Sequence, residues 1–312
     1  MSPMSLKDLA EQIVDAARAN AGAHPGYRPL HAKGIVCSGT FAAVPEGARI
    51  SKAAHLAGQN VPVTCRFSNA SGDPNVHDGL PNARALAVKF LLPNGHKTDI
   101  LANSIEGFRV GTGEDFLAFL QAILPEPATG KPNPDRVARF AERHPTIEPF
   151  MKRFTQKSVP ASLARATYHA NHAFRFTAAD GSSRWGRYRW IPEEGEAFLD
   201  PQEASHRDPN FLLAELKGRL AKGPAAFRLH LQIAEPSDPT NDATVLWPVE
   251  RQLVEVGRLE IHSVSATSAA DERRLNFDPT NLTEGIELGD DPLPALRSAA
   301  YSISYEERTK GV

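Results

Sequence analysis

Cysteine is scarce in this sequence: there are two in 312 residues, Cys37 and Cys65. Two thiols cannot build a disulfide scaffold or a four-thiolate zinc site. Both sit in apolar stretches that read as strands, where a reduced thiol packs as a small hydrophobe. Net charge is nearly absent as well: 35 Lys+Arg against 37 Asp+Glu gives −2, so there is no global field to hold nucleic acid or anionic lipid. No apolar run reaches the roughly 18 residues of a membrane span. The Gly-x-Gly-x-x-Gly, Walker and His-Glu-x-x-His patterns are missing, which leaves dinucleotide, nucleotide and zinc-protease readings without a motif. The N-terminus lacks a basic segment followed by an apolar one, so no secretory signal is expected and the chain is expected in the cytoplasm.

What is present, 41% hydrophobic and 23% charged residues, suits a soluble globular protein. The length allows one large or two average domains. Ser5 and Asp8 form a capping-box pattern ahead of Leu6, Leu9, Ile13 and Ala17, which predicts a short amphipathic helix over about 1–20. Strands are expected at 34–41, 61–68, 83–92 and 98–103, separated by turn clusters such as Ser71-Gly72-Asp73-Pro74. Helical patterns cover 114–124 and 134–157, and a hairpin turns at Asp180-Gly181-Ser182. Asp208-Pro209 reads as the cap and first residue of a helix closed by Gly223. Phe227, Leu229, Leu231 and Ile233 alternate with Arg228, His230 and Gln232, a half-buried strand. Another strand covers 253–261; the chain is then loop-like through Asp278-Pro279 and helical from Leu293. Strands grouped in two sets, not alternating with helices, predict an α+β fold with an antiparallel sheet or barrel.

Polar residues that interrupt these patterns carry the chemistry. His31 leads into the first strand, where a lone histidine is most often structural. Arg66 and Ser68 share a face of the second strand; a serine at a strand end is usually a cap. Asn103 ends the fourth strand, where a turn role is the ordinary one. Arg297 and Tyr301 lie four apart on a helix, so the guanidinium can reach the phenol oxygen. A fixed cation there favours the phenolate, a possible iron ligand.

In this order and context these segments resemble the haem catalases. The resemblance runs through RPLHAKG (28–34), CRFSNASGD (65–73), RALAVKF (84–90), DILANSIEGF (99–108), EVGRLEIHSV (255–264) and EERTKG (306–311), and is most specific in NFDPTNLTEGIELGDDPLPALRSAAY (276–301). It covers about Arg28 to Arg308 and implies one haem-binding domain over 1–312, an antiparallel barrel with surrounding helices. It implies His31 as distal acid/base, Ser68 as its orienting partner and Asn103 as the peroxide-binding amide. Tyr301 would be the axial ligand of a haem b iron, with Arg297 stabilising it. Arg28, Arg66 and Arg308 would pair with the propionates, Phe108 and Phe116 would line the distal side, and Asp291 would join the proximal hydrogen-bond network.

The departures from the family point to a minimal, catalase-related peroxidase. The extended C-terminal region and long N-terminal arm of typical catalases are not found, so a monomer or small homo-oligomer is expected rather than their tetramer. Leu30 and Ala70 stand where valines are usual, Asn82 about where a channel aspartate falls, Arg109 where a second phenylalanine is usual, and Arg189 about where a proximal histidine is expected. Losing a channel carboxylate weakens peroxide focusing, and a wider mouth favours an organic electron donor over a second peroxide. The expected partners are therefore a peroxide and a small organic donor. Two other readings stay open: an enzyme of this fold that rearranges fatty-acid hydroperoxides, and a non-catalytic haem carrier or sensor.

Overall fold

The protein is described here by a computed structural model that covers residues 4–58, 60–156 and 159–310. Its strands are β1 (Gly34–Ala43), β2 (Val61–Asn69), β3 (Arg84–Leu91), β4 (Lys97–Asn103), β5 (Tyr168–His169), β6 (Phe174–Thr177), β7 (Ser183–Pro192), β8 (Ala225–Ile233), β9 (Leu253–Val264) and β10 (Ile286–Leu288). Eight of them, in the order β1-β2-β3-β4-β5-β7-β8-β9, close into a barrel through the pairing of β9 with β1. Every neighbouring pair is antiparallel, and β6 and β10 extend the sheet beyond β7. The expected α+β class and antiparallel barrel are both found. Closure removes the unpaired edges that an open sheet would leave.

The barrel interior is filled by Phe41, Phe67, Phe90, Tyr168, Trp190 and Phe227, all essentially inaccessible. Cys37 and Cys65 face each other across β1 and β2 as buried free thiols. The helices are α1 (Leu6–Ala21), α2 (Pro45–Ile50), α3 (Gly113–Ala122), α4 (Pro134–Arg143), α5 (Ile147–Gln156), α6 (Pro201–Ser205), α7 (Phe211–Leu220), α8 (Ser268–Arg274) and α9 (Leu293–Thr309). Helix α1 starts as its capping pattern predicts, with Ser5 Oγ accepting from Asp8 N at 3.1 Å. It packs on α9 and α3 around Leu9, Ile13, Leu117, Leu293 and Leu296.

Several local expectations are corrected. The helical stretch 134–157 is two helices, because Pro145 excludes the helical conformation at His144, which is the C-cap of α4; residue 157 lies outside the described residues. The helix placed after Asp208-Pro209 starts later, at Phe211, because Asp208 Oδ1 accepts from Asn210 N at 2.8 Å and forms a turn instead. The alternation of β8 fails at its end: Gln232 is buried, held by Arg189 and by Pro248 O. Strand β9 runs on to Val264, and the stretch read as loop contains α8 and β10.

One core histidine has no polar partner among the described residues. His55 is fully buried and its ring lies 4.6 Å from that of Phe90. Neither ring nitrogen has a hydrogen-bond partner among the described residues. Burial lowers its pKa from 6.5 to about 3. The unfolded chain therefore binds a proton that the native state refuses, and stability falls as pH drops below 6.5. His55 alone accounts for a loss of about 2 kcal/mol between pH 8 and pH 5. Urea unfolding at both pH values is expected to show His55→Leu losing about 2 kcal/mol less than the wild type; equal losses would contradict this assignment.

Candidate active site

His31 is the one non-glycine with positive φ among the described residues, at +58°. That conformation costs a non-glycine residue on the order of 1 kcal/mol and persists where surrounding contacts impose it. Here they do: Arg66 Nη2 donates to His31 O at 2.7 Å and Ala32 N donates to Ser71 O at 2.9 Å. The ring is fixed as well, since His31 Nδ1 and Ser68 Oγ are 3.0 Å apart. With Nδ1–H donating to Ser68, Nε2 is left as a proton acceptor. Burial lowers the His31 pKa from 6.5 to about 3, aided by the charges of Arg66, Arg297, Arg28 and Arg109. The imidazole is therefore neutral at pH 7. Asn103, at the end of β4, accepts from Ile105 N through Oδ1 at 2.9 Å, which sets the orientation of its amide.

The second half of the site stands on α9. Arg297 Nε and Nη2 both donate to Tyr301 Oη, at 3.1 and 3.0 Å. Its Nη1 donates to His172 Nε2 at 2.7 Å. His172 Nδ1 in turn meets Asp291 Oδ2 at 2.7 Å, and Asp291 Oδ1 accepts from Leu293 N at the start of α9. The bonding sets the tautomer: Nδ1–H donates to the carboxylate and Nε2 accepts from the guanidinium. Burial and the charges of Arg297 and Arg187 lower the His172 pKa, against the raising effect of Asp291. Asp291 thus joins this network as expected. Arg189 does not take the histidine's place; it pairs with Glu106 and Gln232. His172 was missed from sequence. Its only signal is its place in the short run Tyr168-His169-Ala170-Asn171-His172 ahead of β6.

Arg28, Arg66 and Arg308 converge. Arg28 donates to Glu272 Oε2 at 3.0 Å and to Leu275 O at 2.7 Å. Arg66 donates to both Glu272 carboxylate oxygens, at 2.6–2.9 Å. Arg308 donates to Arg273 O at 3.0 Å and shares Leu275 O with Arg28. Two guanidiniums thus pair with one carboxylate, Glu272 of α8, and the third, that of Arg308, joins them at the shared carbonyl of Leu275. Burial and mutual repulsion hold Arg28 well below its ordinary pKa, and bring Arg308 to about 10. Gly34 makes this approach possible, because a Cβ there would lie 2.5 Å from Arg66 Nη2.

Leu30, Phe108, Phe116, Ala299, Ala300 and Ile303 are half-buried apolar residues packed against the core shared by α1, α3 and α9. The Phe108 and Phe116 rings are 5.6 Å apart. Arg109 is stacked against Phe119 and Phe150, at 4.6 and 5.1 Å. Arg297 acts electrostatically on His31, so the His31–Ser68 pair and the Arg297–Tyr301 pair share one neighbourhood. These residues fit a flat apolar group with two anionic arms and an iron that accepts a phenol oxygen. The surplus of buried guanidinium charge over carboxylate is the observation that carries this fit.

The catalase family model matches residues 8–312. A catalase-related peroxidase of Mycolicibacterium paratuberculosis is 40% identical over 300 residues, spanning 96% of this chain and 94% of that protein. One from Synechococcus elongatus is 33% identical over 302 residues, spanning 97% and 89%. The catalase of Rattus norvegicus is 27% identical over 297 residues, which are 90% of this chain but 56% of the rat protein. A solved bacterial catalase shares the fold with a TM-score of 0.83 at 22% identity, over 98% of this chain and 62% of that one. With its whole barrel and both halves of the site inside the matched region, the chain belongs to the catalase family.

Proposed function

We propose that this protein is a haem b peroxidase that reduces hydrogen peroxide or an organic hydroperoxide with electrons from a small organic donor, and dismutates peroxide only weakly. It works in the cytoplasm, as a monomer or small homo-oligomer, with one haem-enclosing domain formed by the whole chain. Its family and its catalase-related relatives make it a peroxide-linked oxidoreductase. The single observation behind the finer reading is Arg297, which donates twice to Tyr301 Oη while lying within electrostatic reach of His31.

Tyr301 would hold the iron through its oxygen, and Arg28, Arg66 and Arg308 would hold the propionates. Haem, when bound, supplies the electron-accepting and electron-passing centre. The rest is proton work by the chain. Neutral His31 takes a proton from one peroxide oxygen at Nε2 and returns it to the leaving oxygen. Ser68 keeps the ring in the required tautomer, and the Asn103 amide fixes the peroxide. On the other side, Asp291 and His172 hold Arg297 in place, and two guanidinium N–H groups keep the Tyr301 oxygen an acceptor. Asn82 and Ala70, in place of a channel carboxylate and a channel valine, favour an organic donor as the source of electrons.

His31→Ala is expected to lower kcat/KM for peroxide by about 10²–10⁴ with haem still bound; unaltered peroxide-dependent activity in that variant would favour a carrier or sensor. Because the His31 pKa is lowered to about 3, the base stays unprotonated above about pH 5. The pH profile of kcat/KM for peroxide is therefore expected to be flat from about pH 5 to 8 and to fall only toward pH 3. A drop centred near 6.5 would contradict the buried, neutral base.

A further inference from the structure

Outside the site described above, a cleft of about 550 Å³ opens between the C-terminal end of α1, the loop before Arg28 and the end of α9. Its walls carry Arg18, His24, Tyr27, Arg273 and Lys310, and its inner face is Arg308. One carboxylate, Glu307, lines it, and that side chain is already paired with Arg18. Arg273 and Lys310 have no acidic partner among the described residues. Arg308 donates to backbone carbonyls and to Ser304 Oγ, not to a carboxylate. The cleft is therefore a local excess of positive charge on a chain whose net charge is −2. Tyr27, 45% exposed, presents an aromatic face on the same wall.

Its position gives the charge a use. Arg308 closes the cleft on one side and on the other belongs to the Arg28–Arg66–Arg308 cluster, where its charge acts on Arg66. A molecule seated in the cleft thus reaches Arg308 itself, one of the three groups assigned to the propionates. The space has the size of an ordinary small-molecule site.

We infer that this cleft is the electron-donor site and that it selects anionic aromatic donors, in particular phenols that carry a carboxylate. The carboxylate would pair with Arg273 and Lys310, and the ring would lie against Tyr27. In the reaction, two phenols each lose one electron and one proton to give phenoxyl radicals, and one hydrogen peroxide takes up both electrons and both protons to give two waters. This inference rests on the peroxidase reading and deepens it.

The test compares 3-(4-hydroxyphenyl)propionate with uncharged 4-ethylphenol in the haem-loaded enzyme. Binding is measured by calorimetry without peroxide, and oxidation with it. The carboxylate-bearing phenol is expected to bind at least about ten-fold more tightly than 4-ethylphenol, and the preference is expected to shrink in 0.5 M salt. In the double variant Arg273→Gln, Lys310→Gln, its Kd and KM are expected to rise about ten-fold, with a much smaller effect on 4-ethylphenol. Equal binding of the two phenols, or binding of sulfate as tight as that of the carboxylate-bearing phenol, would overturn the assignment of a donor site. So would an unaltered preference in the double variant. Oxidation of neither phenol by a wild type that still oxidises other organic donors with peroxide would overturn this inference alone, and failure with every organic donor tried would overturn the peroxidase reading itself. Oxidation of both with no preference would leave that reading standing and remove this one.

Discussion

A guanidinium offers five N–H donors in one rigid plane, and the site depends on how Arg297 distributes three of them. Two go to the oxygen of Tyr301, one turn along the same helix, and one goes to His172 in the segment between β5 and β6. The phenol oxygen is thereby held as an acceptor at a set place and angle. The arrangement is stiff because its outer members are themselves fixed: Asp291 sets the tautomer of His172 and also caps the first turn of α9. A helix start, a histidine ring, a guanidinium and a phenol form one connected unit, so the position of Tyr301 follows from the way α9 joins the barrel.

The same logic of restrained charge governs the opposite half. Three buried guanidiniums close together oppose folding, and Glu272 with several backbone carbonyls compensates only in part. The strain at His31 is of the same kind, since its positive φ is maintained by the Arg66 bond to its carbonyl. Arg66 therefore joins the two features, bracing His31 on one side and contributing to the excess positive charge on the other. Stability is given up where an anionic, electron-rich ligand would recover it.

Much of this was legible in the sequence because the informative residues sit in short local patterns. Arg28 and His31 are three apart, Arg66 and Ser68 two apart on a strand face, and Arg297 and Tyr301 four apart on a helix. The last two pairs are brought together by secondary structure alone, and the first by its closeness in one short loop. His172 was not legible, because its partners lie 119 and 125 residues away and nothing beside it marks a role. Glu272 escaped for a related reason: α8 is a short helix with no buried residue, and so lacks the apolar periodicity that reveals helices. The cleft beside Arg308 is assembled from two distant ends of the chain, and only tertiary packing displays its charge.

Tyr301 as the ligand held by Arg297 is tested most directly by the electronic absorption spectrum of the purified, haem-loaded protein. The wild type is expected to show a high-spin ferric, phenolate-ligated spectrum, and Tyr301→Phe to lose that spectrum or to lose haem. An identical spectrum in wild type and Tyr301→Phe, with equal haem content, would contradict the assignment.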